Sequence, residues 1–277
     1  MSLLKSILRI IFGVIIAIPL LLYPFLYLMQ DKLIFIQPKV DKDFISSLKK
    51  TYPYVEEVKL KTSDNVTLHG WYVKNSFATH SPLIIYFGGN AEEVSGHVVE
   101  TEQFKGWSLL LVNYRGYGLS EGSPSEKNLY NDAILLYDIF SKRTDVDSSK
   151  IMAFGRSLGT GVAVYLASQR SLKGAILVSP YDSVRSIAQE IYPYVPIAFL
   201  LKHHFDAIKY APNVKIDMLA LVAEFDRTIT PEHSFNLINA WGGTIQQQII
   251  PNTNHNNITL GLGYWENITI FLNSMLD

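Results

Sequence analysis

Apolar positions along the chain fall into two regimes. From Ile10 to Gln30 the run IIFGVIIAIPLLLYPFLYLMQ carries no charge. About 20 apolar residues at about 1.5 Å rise cross a hydrocarbon core of about 30 Å. Pro19 and Pro24 are tolerated in a membrane helix, where freed carbonyls find other partners, and Tyr23 and Tyr27 stand where an interfacial aromatic belt belongs. A cleaved signal peptide or a buried core helix are the competing readings. A signal's apolar region is shorter and closes on small residues, whereas this run closes on Tyr27, Leu28 and Met29. The pattern predicts a single-pass membrane anchor over residues 1–30 with the lipid bilayer as its partner, then a linker over 31–53. Lys5 and Arg9 before the run compete with Lys32, Lys39, Lys42, Lys49 and Lys50 after it, so the charges select neither side of the membrane for the rest of the chain.

From about Tyr54 the rhythm changes. Val55–Thr62 and Val66–Val73 alternate around Ser63-Asp64-Asn65, the pattern of an antiparallel hairpin. Leu83–Phe87, Ser108–Asn113, Ile151–Phe154, Ala175–Val178, Leu219–Val222 and Gln247–Ile250 read as strands covered on both faces. Helical patterns near Ala91–Phe104, Ser125–Ser141, Leu158–Gln169, Pro231–Ala240 and Tyr264–Leu276 separate them. Such alternation predicts an α/β fold over residues 54–277: a doubly wound, mostly parallel sheet with the hairpin at one edge. Residues 183–212, rich in aromatics and proline (YPYVPIAFLLKHHF), break the rhythm and read as a small helical lid.

Composition narrows the chemistry. Of 277 residues 48% are apolar and 18% charged, which excludes a disordered chain. Basic and acidic residues balance to a net charge of −1, leaving no cationic excess for a phosphate backbone, so no nucleic-acid partner is expected. With no cysteine, disulfides, thiolate nucleophiles and cysteine-held metals drop out.

Gly155-Arg156-Ser157-Leu158-Gly159 follows a predicted strand and opens a helix rich in small residues, the context of a G-x-S-x-G nucleophile elbow. Glycines two positions either side of the serine relieve a turn too tight for side chains. An ordinary glycine turn or a phosphate loop are the plainer alternatives, the second weakened by the missing P-loop lysine. A serine needs a base, and the base an orienting carboxylate. Along an elbow-type chain the acid and then the histidine follow the serine. His255, in the polar loop Pro251–Asn257 after the last strand, fits as base, while His203 and His204 fall on the lid surface and His233 in a first helical turn. Asp226 is preferred as acid over Glu224, read as a loop hydrogen-bond partner, with Asp182 in reserve and an Asp226–Arg227 ion pair as the plain alternative. For a developing oxyanion the backbone N–H groups of Leu158 and of Asn90, in Gly88-Gly89-Asn90-Ala91, are the candidate donors.

These pieces, in this order, resemble the α/β-hydrolase superfamily, and within it the membrane-anchored serine hydrolases known as α/β-hydrolase-domain (ABHD) proteins. The resemblance covers nearly the whole chain: Gln30-Asp31-Lys32-Leu33-Ile34-Phe35, Tyr86-Phe87-Gly88-Gly89-Asn90-Ala91, Asn113-Tyr114-Arg115-Gly116-Tyr117-Gly118, the elbow, Glu224-Phe225-Asp226 and His255-Asn256. It implies a loop at Tyr114-Arg115 near the site, where these side chains either shape the pocket or are buried packing. Relatives usually carry histidine at the position of Gly88, which implies weaker support for the Asn90 loop, and glycine rather than asparagine before the catalytic histidine. The residues predict a membrane-tethered serine hydrolase of carboxylic esters or thioesters without metal or organic cofactor, and the apolar lid and the tether point to hydrophobic small-molecule or acylated substrates. The resemblance, which covers esterases, lipases, thioesterases and peptidases, does not choose among them. An aminopeptidase-like amidase, for which the lid offers only Glu190 and Asp206, and a non-catalytic binding protein of the same fold are the alternatives.

Overall fold

The computed structural model describes residues 2–38, 40–75 and 78–276; Lys39, counted above among the lysines after the apolar run, lies outside the described residues. The apolar run forms one helix, α1 (Ser2–Ile34), that carries Pro19 and Pro24 inside it. Its most apolar window has a mean hydropathy of 2.4 and none of its described residues is buried, and the helix is long and apolar enough to cross a membrane. The segment read as a linker contains a second helix, α2 (Lys42–Thr51), N-capped by Asp41, whose Oδ1 accepts from the amides of Asp43 and Phe44 at 3.0 Å. Ile45 and Leu48, three apart on one face of α2, are buried.

Among the described residues eight strands come after α2: β1 (Val55–Lys61), β2 (Thr67–Val73), β3 (Ser81–Phe87), β4 (Ser108–Val112), β5 (Val146–Arg156), β6 (Gly174–Val178), β7 (Asp217–Ala223) and β8 (Ile245–Ile250). They form one sheet in the order β1-β2-β4-β3-β5-β6-β7-β8. The β1–β2 hairpin and its junction with β4 are antiparallel, and every pairing from β4 to β8 is parallel. Central strands bury both faces. In β3, Leu83, Ile85 and Phe87 pack into one core layer, and Ile84 and Tyr86 into the other. The first layer is closed by α3 (Glu126–Phe140) and α4 (Leu158–Gln169). Between β6 and β7 the region read as a lid carries α5 (Val184–Ile191), α6 (Ile197–Leu200) and α7 (Ala207–Tyr210). Then α8 (Pro231–Ala240) joins the first layer, while α9 (Tyr264–Ser274) and α2 close the second. Helices on both faces of a mostly parallel sheet make this the doubly wound α/β fold.

Two expectations change. The helix anticipated at Ala91–Phe104 is a 3-10 helix over Val94–Phe104, where Gly96 and the β-branched Val94, Val98, Val99 and Thr101 leave little α-propensity. The last strand is not covered on both faces: β8 is an edge, with Ile245–Ile249 exposed and only Ile250 buried. Its polar Gln246-Gln247-Gln248 run suits that position.

Candidate active site

The C-terminal ends of β3, β5 and β7 and the loop after β8 meet at one place. β5 runs into α4 through Ser157, whose φ of +50° is a left-handed conformation that side chains rarely adopt. Its amide donates to Val178 O at 2.9 Å, fixing the turn against β6. The flanking glycines are required by space. A Cβ on Gly155 would stand 2.5 Å from Gly159 O, and one on Gly159 would stand 2.0 Å from Phe87 O. Leu158 is the first residue of α4, so its N–H has no acceptor within the helix.

Three side chains distant in sequence converge here. His255 Nε2 lies 2.9 Å from Ser157 Oγ, and His255 Nδ1 lies 2.8 Å from Asp226 Oδ2. An ionised carboxylate only accepts, so Nδ1 carries the proton and Nε2 is left to accept from the serine hydroxyl. Asp226 is buried, and its Oδ1 accepts from the amides of Thr228 and Ile229, both at 2.9 Å. Burial pushes its carboxyl up, but the hydrogen bond and charge of His255 and the two amides outweigh it, leaving the pKa below its ordinary value. Asp226 therefore pairs with His255 and not with Arg227. Glu224 accepts from the Asn252 amide at 2.8 Å, and Asp182 accepts from His233 Nδ1 at 3.0 Å and from Asn236 Nδ2 at 3.1 Å. Of the remaining histidines read as surface or helix-start residues, His203 and His233 are buried. His203 packs edge-on to Phe35 and meets Asp31 Oδ1 at 3.0 Å; His233 Nε2 meets Glu190 Oε2 at 2.8 Å.

Asn90 borders the same cleft as Ser157 and Leu158. Its Oδ1 accepts from Tyr117 Oη at 2.9 Å and from the Ile36 amide at 2.9 Å. The absence of histidine at Gly88 leaves this loop well supported, contrary to expectation. Glu92 Oε2 accepts from the Gly89 amide at 2.8 Å and from Arg156 Nη1 at 2.9 Å, and Tyr114 Oη donates to Gly88 O at 3.0 Å. Sequence reasoning missed this Glu92–Arg156 pair; the two sit beside the glycine loop and the serine, the one signal that could have joined them. Burial opposes ionisation of Glu92, but His97 and then Arg156 hold its pKa down to about 2. Tyr114 is thus buried support, and Arg115 is turned away into a pair with Asp132 at 2.7 Å.

The cleft encloses about 340 Å³ over Ser157 and is lined by apolar side chains of α5 (Val184, Ile187, Ile191), by Tyr181 and by Ile229. Among the described residues, no carboxylate lines it, and no group of three or more His, Asp or Glu side chains is placed to hold a metal.

No protein-family model matches the sequence. An uncharacterised protein of Mycobacterium tuberculosis is 31% identical over 214 residues, 76% of each chain. An uncharacterised membrane protein of Saccharomyces cerevisiae is 31% identical over 229 residues, 79% of this chain and 80% of its own. The α/β-hydrolase domain-containing protein WAV2 of Arabidopsis thaliana is 27% identical over 248 residues, 80% and 77% of the two chains. The chain belongs to the α/β-hydrolase-domain (ABHD-type) proteins. Solved α/β hydrolases share the fold of this family member. One from Vibrio vulnificus superposes with a TM-score of 0.67 at 21% identity, over 85% of this chain and 88% of that one. An acetyl xylan esterase from Paenibacillus sp. R4 gives 0.63 at 20% identity, over 88% and 98%.

Proposed function

We propose that this α/β-hydrolase-domain protein is a membrane-anchored serine hydrolase that cleaves ester or thioester bonds of hydrophobic acyl substrates through an acyl-enzyme. The observation that carries the reading is the unbroken chain from Ser157 Oγ to His255 at 2.9 Å and from His255 to Asp226 at 2.8 Å. Ser157 Oγ attacks the acyl carbonyl while His255 Nε2 takes its proton, and Asp226 orients the ring and stabilises the imidazolium. The tetrahedral oxyanion is held by the N–H groups of Leu158 and Asn90, each worth about 10²–10³ in rate by analogy with other oxyanion donors. Collapse breaks the bond to the leaving oxygen or sulfur, which receives the proton from His255. His255 then deprotonates a water that attacks the acyl-enzyme, releasing the acid and restoring Ser157. The apolar cleft and the membrane-length helix support a hydrophobic acyl group, and the esterase named among the structural neighbours agrees with this chemistry.

An aminopeptidase would need an anion for the substrate's ammonium. Glu190 is engaged by His233, Asp206 faces Arg185 at 3.5 Å, and neither lines the cleft. The deciding experiment is fluorophosphonate labelling of the full-length protein. Wild type is expected to label and Ser157→Ala to stay blank, with acyl nitrophenyl esters turned over and aminoacyl anilides left intact. An unlabelled wild type refutes the serine hydrolase, and anilide turnover in preference to esters moves it to the amidase class.

A further inference from the structure

The helix α1 is also part of the cleft. Leu26, Gln30, Leu33 and Ile34 line it beside Ser157. Their spacing of four, three and one puts them on one helical face, a wall about 12 Å long at 1.5 Å per residue. That wall is bonded to both sides of the site. Gln30, 6% exposed, donates from Nε2 to Leu200 O at 3.0 Å and accepts at Oε1 from the Lys202 amide at 2.6 Å. Two residues past the helix, the Ile36 amide donates to Asn90 Oδ1 at 2.9 Å.

The lid in turn reaches down α1. Tyr23 Oη donates to Tyr194 O at 3.2 Å, seven residues and so about 10 Å before Gln30. The first charges after the uncharged run are Asp31 and Lys32, so the lid tip stands at a depth that the apolar run itself occupies. The side chains it presents there suit that depth: Tyr194 is 92% exposed and Phe199 88%, and Ile191 of α5 is half-exposed. Lys202 Nζ lies 4.4 Å over the Tyr27 ring, the cation-and-aromatic pairing of a headgroup boundary. The exposed apolar rim is continuous with a membrane-length helix, which selects the bilayer as what covers it.

The geometry points to lateral loading: α1 and the lid form a portal through which the acyl chain of a bilayer-resident ester lipid passes from the membrane to Ser157. The reaction at the end of that path rests on the serine-hydrolase reading; the path itself does not, and the two are tested apart. Full-length Ser157→Ala is placed in phosphatidylcholine vesicles with a trace of 1-oleoylglycerol bearing a diazirine near its acyl terminus. Photolysis is expected to mark Leu158, Tyr181 or Ile229, cleft residues that bulk lipid does not touch. Adding Leu26→Trp, which fills the wall, is expected to reduce those crosslinks about tenfold and to leave crosslinks on the outer face of α1 unchanged. Crosslinks confined to the outer face, or undiminished by Leu26→Trp, overturn the portal whether or not the wild type hydrolyses anything. In the second arm, Tyr194→Ser with Phe199→Ser is expected to raise KM for vesicle-embedded 1-oleoylglycerol about tenfold with kcat held; an unchanged KM removes the membrane-seated rim from the proposal.

Discussion

Replacing Asp226 by asparagine tests the proposed relay at its buried end, and the structure dictates which way the new amide points. Asp226 Oδ1 receives two backbone donors, Thr228 N and Ile229 N, at 2.9 Å each, while Oδ2 faces His255 Nδ1. If the amide NH2 were turned toward the two backbone amides, three donors would face one another, and the buried Ile229 amide would lose its acceptor at about 1–3 kcal/mol, with the part-buried Thr228 amide losing its own as well. The amide oxygen therefore stays with Thr228 and Ile229, and the NH2 points at the imidazole. His255 must then accept at Nδ1 and carry its proton on Nε2, where it faces Ser157 Oγ as a donor and no longer as a base. The expected loss is about four decades in kcat, or about 5.5 kcal/mol of barrier, with KM within about threefold because the cleft is untouched. Steady-state hydrolysis of a short nitrophenyl ester measures it, with thermal unfolding to confirm that the variant is folded. A loss of less than tenfold would refute the proposed role of the Asp226–His255 pair.

His97 makes stability depend on pH in a defined window. Burial alone would lower its pKa, but hydrogen bonds and charges from Glu100 and Glu92 raise it from 6.5 to about 9. Its contribution is therefore full below pH 6.5 and lost as pH rises through 9, so the Tm gap between wild type and His97→Gln should shrink between those values; a gap constant across that range contradicts the pairing. Glu92 runs the opposite way, lowered from 4.5 to about 2, so its contribution is present above pH 4.5 and lost on acidification through 2. The Tm deficit of Glu92→Gln should be largest near neutrality and close only in strong acid. Gly159→Ala, whose Cβ would meet Phe87 O at 2.0 Å, should cost at least about 3 kcal/mol in urea unfolding; a near-neutral effect would mean that the elbow can relax.

What was legible in the sequence was set by local sterics and period. The turn at Ser157 reads from the sequence because a strand-to-helix turn this tight excludes Cβ atoms at Gly155 and Gly159, and the same backbone that demands those glycines forces Ser157 to a φ of +50°. The central strands read because burial on both faces demands continuous apolar runs. His255 and Asp226 were accessible because each sits just past a recognisable strand. What escaped depends on neighbours brought from afar. The two apolar residues that seat α2 are too few to stand out in a charged stretch. β8 looks like a core strand in Gln247–Ile250 until the sheet ends beside it and leaves it exposed. His203 looks like a lid surface residue, yet Phe35 and Asp31, over 160 positions earlier, enclose it. The apolar run reads as a tether because hydropathy counts its length; nothing in that count reveals that its last two turns face a cleft.

The same contrast explains how the Asn90 loop holds its shape without the histidine that relatives usually carry. Glu92 occupies the space behind Gly89 so closely that a Cβ there would stand 3.1 Å from its Oε2. From that position one carboxylate accepts from the Gly89 amide and from Arg156, the residue before Ser157. Arg156 in turn reaches the His255 carbonyl at 3.4 Å. The loop that presents Asn90, the turn that presents Ser157 and the loop that presents His255 are thereby tied through one part-buried ion pair. Removing Glu92 takes from Arg156 its carboxylate partner and from the Gly89 amide its acceptor at once, so a single side chain links the three loops. A sequence comparison at position 88 alone registers the missing histidine; the compensation lies four residues further on and becomes visible only where the three loops meet.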